Sequence, residues 1–276
     1  MSAAPEASEP VPLAQAVRAL PVRRWRDGQW SEAVDSVAAE VPVALSYNSI
    51  PHVVMMATPR DLEDLAVGFT ISEVLVSKYV EIREVTLDTS SGEHELRIAV
   101  EGSRLRELLE RRRNLTGRTG CGVCGAETVE DAIRHPDPVA PGGGTTRELL
   151  VAALRRLREL QPLGRLAGSL HAAAWVSWEG DVQLVREDVG RHNALDKLIG
   201  AKLRRGDDFS QGYVMVTSRA SYEMVQKTAT LGIRMLVAVS APTTLGVALA
   251  EDCGLTLVGF VREDQQVVYS HPGRVR

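Results

Sequence analysis

The stretch Tyr213-Val-Met-Val-Thr-Ser-Arg-Ala-Ser-Tyr-Glu-Met-Val-Gln-Lys-Thr-Ala-Thr-Leu-Gly-Ile-Arg-Met-Leu-Val-Ala-Val239 decides the fold. Two short apolar runs, Tyr213–Thr217 and Met235–Val239, read as strands around a helix over Ser221–Leu231. The same unit repeats downstream. Thr244–Asp252 reads as a helix stopped by Cys253-Gly254, and Leu255–Phe260 as a further strand. Strands alternating with helices predict a parallel sheet with right-handed crossovers. In such a sheet, ligands bind beyond the carboxyl ends of the strands.

Outward from there, His171–Trp178 and Val182–Val185 form a hairpin around Glu179-Gly180-Asp181, and Arg191–Arg204 and Arg147–Leu160 read as helices. His135-Pro-Asp-Pro and Pro141-Gly-Gly-Gly-Thr-Thr make the clearest linker in the chain. It places a boundary near residue 145, between an N-terminal domain over 16–145 and a C-terminal domain over 146–276. Residues 1–15, rich in Ala, Pro and Glu, read as a disordered tail. The N-terminal half is mixed. Trp25–Trp30, Val41–Tyr47 and His52–Ala57 read as strands, and Val85–Leu87 with Glu95–Val100 as a hairpin around Ser90-Ser91-Gly92. Thr58 is an expected N-cap for a helix whose core face is Leu62, Leu65, Ala66, Phe69 and Ile71. Ser103–Arg113 reads as an amphipathic helix. The fold class is α/β with a smaller mixed α+β N-terminal domain.

Composition narrows the function. The chain has 276 residues, 44% of them hydrophobic, and a net charge of −4 from 36 acidic and 32 basic residues. It can bury a sizeable core. No basic run interleaved with aromatics indicates a nucleic-acid groove; Arg111-Arg112-Arg113 reads as the end of a solvated helix. No signal peptide and no apolar run near ~18 residues occurs, so the expectation is a cytoplasmic protein without a membrane partner. Three cysteines without a secretion signal imply reduced thiols.

Three segments leave strands on the ligand-binding edge: Ser218-Arg-Ala-Ser221, Ser240-Ala-Pro-Thr-Thr244 and Phe260-Val-Arg-Glu-Asp-Gln265. Two place hydroxyls before a helix N-terminus, where N–H groups and the dipole favour anions. Two carry an arginine, Arg219 and Arg262, suited to bidentate recognition. Taken singly, Ser221 and Thr244 read as N-caps. Converging, the three loops describe a pocket for a phosphate-bearing ligand with a heterocycle.

Two of the three cysteines, Cys121 and Cys124, sit in Gly117-Arg-Thr-Gly-Cys-Gly-Val-Cys-Gly125. Flanking glycines leave each sulfur on a pliant backbone, which suits a thiol that meets partners. The literal match to G-x-G-x-x-G follows a charged helix rather than a strand, so it is not a dinucleotide fingerprint. Structural zinc needs four N/S ligands, and no second pair is present. A redox dithiol and a persulfide carrier both fit C-x-x-C, and spacing alone does not choose between them. Either chemistry gains from lowering the thiol from about 8.5 towards about 7, to which Arg118 can contribute.

Glu187-Asp-Val-Gly-Arg-His-Asn-Ala-Leu-Asp-Lys197 gathers charges at a helix start, with His192 as a candidate ligand contact or proton carrier. His171 begins a strand and by itself reads as structural. Glu223 and Lys227 read as a stabilising i, i+4 pair, and Cys253 as a small buried hydrophobe.

These residues resemble the FdhD family of formate dehydrogenase accessory proteins. The likeness spans roughly Glu40 to Val268 and rests on Met55-Met-Ala-Thr-Pro-Arg-Asp-Leu-Glu-Asp-Leu-Ala-Val-Gly-Phe69, Arg118–Gly125, Glu187–Lys197, Ser218–Lys227, Ala241–Thr243 and Leu257–Arg262. It implies a cytidine-deaminase-like α/β C-terminal domain and a homodimer. It implies a sulfurtransferase-type carrier in which Cys121 accepts persulfide sulfur from a cysteine desulfurase, assisted by Cys124. The sulfur would pass to the molybdenum cofactor, Mo-bis(molybdopterin guanine dinucleotide), for formate dehydrogenase. The implied cofactor segment is Phe260, Val261, Arg262, Glu263, Asp264 and Gln265, with Ser218, Arg219, Ser221, Thr243, His171 and His192 around it and a GDP-like guanine nucleotide as a stand-in. A non-catalytic cofactor chaperone and a thiol–disulfide oxidoreductase are the rival classes. Deamination is not implied, because H-x-E with P-C-x-x-C is absent. The chain departs from the family at Val74, where glycine is usual, and at Ala167-Gly168-Ser169 before His171.

Overall fold

The structure, a computed structural model, describes residues 13–101 and 134–276. The expected helix over Ser103–Arg113 and the Cys121/Cys124 loop lie outside the described residues. After a short helix, α1 (Leu13–Ala16), β1 (Val17–Arg26) and β2 (Gln29–Ala38) form a two-stranded antiparallel ribbon. Trp25–Trp30 is therefore not one strand. The two tryptophans face each other across a turn at Asp27-Gly28, both with positive φ, and Asp-Gly is a hairpin signal.

The next strands, β3 (Val41–Tyr47), β4 (Ile50–Ala57), β5 (Ile82–Asp88) and β6 (His94–Val100), form a four-stranded sheet in the order β4-β3-β6-β5. The hairpin of β5 and β6 turns at the expected place. α2 (Leu62–Ser72) covers this sheet. Its expected single core face is a misreading: every residue except Glu63 is buried. The second side of α2 packs on α5 (Arg191–Arg205), and two glycines permit the contact. A Cβ on Gly68 would lie 1.7 Å from Asp196 O, and one on Gly200 1.9 Å from Asp64 O.

The remaining elements are α3 (Arg147–Glu159), α4 (Pro162–Leu166), β7 (His171–Ser177), β8 (Val182–Asp188), β9 (Gly212–Val216), α6 (Tyr222–Thr230), β10 (Met235–Ala238), α7 (Thr244–Asp252), β11 (Thr256–Gly259) and β12 (Val267–Ser270). The six strands lie in the order β12-β11-β10-β9-β7-β8. Only β9, β10 and β11 are mutually parallel, each joined by a helical crossover. β7, β8 and β12 are antiparallel, because a hairpin and a return loop connect them. The sheet is thus mixed rather than parallel throughout. Side chains alternate across it. Trp175, Val214, Val216, Leu236 and Leu257 meet α5, α6 and α7 on one face. Ala174, Met215, Met235, Val237 and Val258 meet α3 on the other.

Candidate functional site at the strand edge

Register collects the site. His171, first in β7, pairs with Asp188, last in β8, and β7 lies beside β9 with Ala173 opposite Val216. The start of β7 therefore shares an edge with the carboxyl ends of β8, β9, β10 and β11. The three expected loops do converge there. The Ala220 amide donates to Ala241 O at 3.2 Å, Thr243 N to Ala220 O at 3.0 Å, and Phe260 N to Ser240 O at 3.2 Å. The Thr243 hydroxyl accepts from Gly246 N at 3.2 Å, so Thr243 caps α7 and Thr244 is its first residue. Ser221 precedes α6 but makes no side-chain cap. Its buried hydroxyl has no partner among the described residues.

Phe260 turns the chain at φ 54. Beyond it Val261 is buried, and Arg262 N donates to Gln265 O at 2.9 Å, closing the loop. Glu263 is held from α3: its carbonyl accepts from Arg147, and its carboxylate lies 3.1 Å from Arg155 Nε. Arg262, Asp264 and Gln265 remain exposed.

The charge here favours an anion. Burial, then the nearby Arg191 cation, hold His171 below the usual imidazole range, with His192 and Arg219 adding in the same sense against Asp188. Arg191 is lowered by burial and by Arg219. Two guanidiniums and two imidazoles thus meet here with one carboxylate, Glu223, 3.9 Å from Arg191 Nη2, and the Arg191 Nε is buried without a hydrogen-bond partner among the described residues. Ser218, Arg219, Ser221, Thr243, His171 and His192 are brought to this edge with the Phe260–Gln265 loop.

Below the edge lies a buried clamp that the sequence reading missed. Asp188 is fully buried and sits 2.6 Å from Lys197 Nζ, itself fully buried. Its carboxylate also accepts from Gly190 N at 2.7 Å, Asn193 Nδ2 at 3.0 Å and Thr58 N at 3.0 Å. Thr58 is not the cap of α2; the residue before that helix is Asp61, with no side-chain cap bond. The Thr58 hydroxyl accepts from Val189 N at 3.1 Å and its carbonyl from Lys197 Nζ at 3.0 Å. Glu187, next to Asp188, accepts from Leu163 N and Gly164 N, and burial raises its pKa.

Glu223 and Lys227 are not partners either. Glu223 Oε2 lies 2.6 Å from His192 Nε2, a close charge contact off the hydrogen-bond axis. Lys227 Nζ lies 2.9 Å from Asp196 Oδ2, 2.8 Å from Ser72 Oγ and 2.8 Å from Glu73 Oε1. These groups border a cavity of about 500 Å³ between β4 and α2 on one side and α5 and α6 on the other, with Val53, Val54, Met55, Met56 and Phe69 as its apolar wall. The described chain resumes beside it, with Arg134 bonded to Tyr222 and 3.2 Å from Glu73. Cys253 is a buried thiol, raised by burial, as expected of a small core residue.

Val74 adopts the left-handed conformation at φ 54. Its amide donates to Ile71 O and the Leu75 amide to Thr70 O, so α2 closes in a Schellman motif with valine at the glycine position. Among the described residues no helix is long and apolar enough to cross a membrane.

Comparison with known proteins shows the family and the fold. The chain is 50% identical over 255 residues to the sulfur carrier protein FdhD of Cupriavidus necator, covering 92% of this chain and 88% of that one. It is 50% identical over 268 residues to the protein of the same name from Xanthomonas campestris pv. campestris, covering 97% and 95%. A crystal structure described as a formate dehydrogenase accessory protein from Desulfotalea psychrophila shares the fold at a TM-score of 0.74 and 24% identity, over 95% of this chain and 100% of that one. A model of the FdhD/NarQ family matches residues 38–276. On this combined ground, the chain belongs to the FdhD/NarQ family.

Proposed function

We infer that the chain is a sulfur carrier for the maturation of formate dehydrogenase, as the names of its relatives suggest. Cys121 is the persulfide nucleophile in this reading and Cys124 its neighbour. The Cys121 thiolate attacks the outer sulfur of a persulfide on a cysteine desulfurase. One S–S bond breaks, another forms on Cys121, and the donor leaves as a thiolate, so the step is redox-neutral. The sulfur then passes to Mo-bis(molybdopterin guanine dinucleotide), bound as substrate. The Cys124 thiolate attacks Cys121 Sγ, the S–S bond to the outer sulfur breaks, and that sulfur leaves at the sulfide level. A Cys121–Cys124 disulfide remains for a cellular thiol to reduce.

The observation that carries this reading is the convergence of Arg191, Arg219, His171 and the unpartnered Ser221 hydroxyl on the edge formed by the Ser218–Ser221, Ser240–Thr244 and Phe260–Gln265 loops. Guanidiniums, a hydroxyl and a helix N-terminus suit the pyrophosphate of a guanine dinucleotide, and the exposed Arg262, Asp264 and Gln265 suit its base. The chain acts in the cytoplasm as a homodimer. Residues 146–276 form its cytidine-deaminase-like domain and 16–145 the smaller one.

The test is intact mass after incubation with a cysteine desulfurase, cysteine and pyridoxal phosphate. Wild type is expected to gain one sulfur, about 32 Da, removable by reductant, and Cys121→Ala none. GDP serves as the ligand probe. Arg219→Ala is expected to weaken it about tenfold or more, the worth of one charge-assisted hydrogen bond. GDP binding without sulfur uptake would overturn the carrier reading in favour of a cofactor chaperone.

A further inference from the structure

The β1–β2 ribbon is the least covered part of the described protein. Neither strand has a buried residue; the nearest buried positions are Ala16 and Ala39 at its base, joined by an amide bond of 2.9 Å. Ten paired residues make it about 33 Å long. An isolated two-stranded ribbon is marginal in water, yet this one ends in an apolar tip. Trp25 and Trp30 are 56% and 59% exposed, with ring centroids 5.3 Å apart and Arg23 stacked on Trp30. Val34, on the same face by register, is 68% exposed.

A matching surface exists on the same chain. β4 is an edge strand of its sheet; Val53, Val54, Met55 and Met56 all line the cavity, and Val54 and Met56 are also exposed. Such an edge invites pairing. The cavity behind it carries Glu40, Glu73, Asp196 and Glu223, of which the last three meet Lys227, Arg134 or Arg191 and Glu40 enters none of these pairs. On β1, Arg23 and Arg24 lie 3.5 Å from Glu32 and Asp35 of β2, and Arg18 and Arg26 stand outside these pairs. The apolar tip, with Arg26 beside it, thus complements an apolar groove that carries Glu40. Glu40, on the cavity wall, lies two residues past the end of β2, so each ribbon springs from the rim of one groove.

We propose that two copies exchange ribbons, the Trp25/Trp30 tip of each seating on the β4 edge and cavity of the other. When each of two copies seats its ribbon on the other, the paired contacts are related by a two-fold axis and the assembly closes as a dimer. The partner's tip then closes the cavity bordered by His192 and Glu223, so each site is completed by the other copy. The inference rests on the homodimer reading and deepens it.

Sedimentation of the full chain tests this. Wild type is expected at twice the 30.0 kDa chain mass, and both Trp25→Ala/Trp30→Ala and Val54→Arg/Met56→Arg at the monomer mass. Mixing the two variants is expected to restore dimers, because one intact plug meets one intact socket. Diluting wild type is expected to red-shift its tryptophan emission, since Trp175 and Trp178 are buried and the ribbon tryptophans carry the change. Variants that stay dimeric, or a mixture that stays monomeric, overturn ribbon exchange and leave the homodimer standing. A monomeric wild type overturns both. Sulfur uptake at Cys121, read on the same samples, reports separately on the carrier reading.

Discussion

Asp196 and Lys197 are neighbours on α5, and each is buried in an ion pair, but not with the other. Lys197 meets Asp188 in a closed site with one carboxylate for one ammonium, both fully buried. Asp196 meets Lys227 beside the cavity, where Glu73 brings a second carboxylate to the same ammonium. Burial pushes the Asp196 carboxyl up, and the negative surroundings hold Lys227 up despite its burial. One side of the helix is a charge-neutral joint between two parts of the protein. The other borders the cavity, where Asp196 and Glu73 share Lys227 and Arg134 in a network of two carboxylates and two cations.

The largest expected effect tests the joint. Lys197→Met strands the Asp188 carboxylate in a dry site and is expected to cost about 3–5 kcal/mol in urea unfolding. A loss smaller than that of Lys227→Met would break the contrast.

Lys227→Met is expected to cost roughly half as much, because the stranded carboxylates take up a proton at about 1.4 kcal/mol per unit of pKa. The sign follows from the raised Asp196 value. A carboxyl raised on folding contributes stability at low pH and loses it as pH rises through the folded value. Without the ammonium that value rises further. The variant's deficit is therefore expected to grow as pH rises above the ordinary carboxylate range, and a deficit independent of pH would sink the assignment.

The smallest effect separates backbone from charge beside the same cavity. Val74→Gly removes the Cβ from a left-handed position next to Glu73 and is expected to stabilise by about 1 kcal/mol, read as a raised Tm. No gain would mean that the valine side chain compensates for its strain.

Much of this was legible in the sequence. The alternation from Tyr213 to Phe260 placed three strands and two helices, because short apolar runs separated by hydroxyl-led helices admit few other readings. It also placed the three loops on one edge. What escaped were contacts distant in sequence. Thr58 before Pro59 has the form of a helix cap, and only the approach of α5 turns its three polar groups towards Asp188 and Lys197. Glu223 and Lys227 have ion-pair spacing, but buried helices offer each a better partner across the interface. β12 is no shorter than β10 or β11, but no helix precedes it to mark it as part of the strand–helix alternation. Trp25–Trp30 read as a strand because the Asp27-Gly28 turn was passed over.

Thr58 has a consequence for the whole molecule. The four-stranded and six-stranded sheets share no strand, yet its amide, carbonyl and hydroxyl all end on groups at the edge of the larger sheet. Prising the sheets apart would break three hydrogen bonds at once and leave the Thr58 amide and carbonyl and the Val189 amide without these partners, so there is no inexpensive hinge at this seam. Separated at the linker, each half would expose a row of polar groups shaped for the other. The smaller part of this chain is therefore less an accessory domain than the missing wall of the larger one's binding edge.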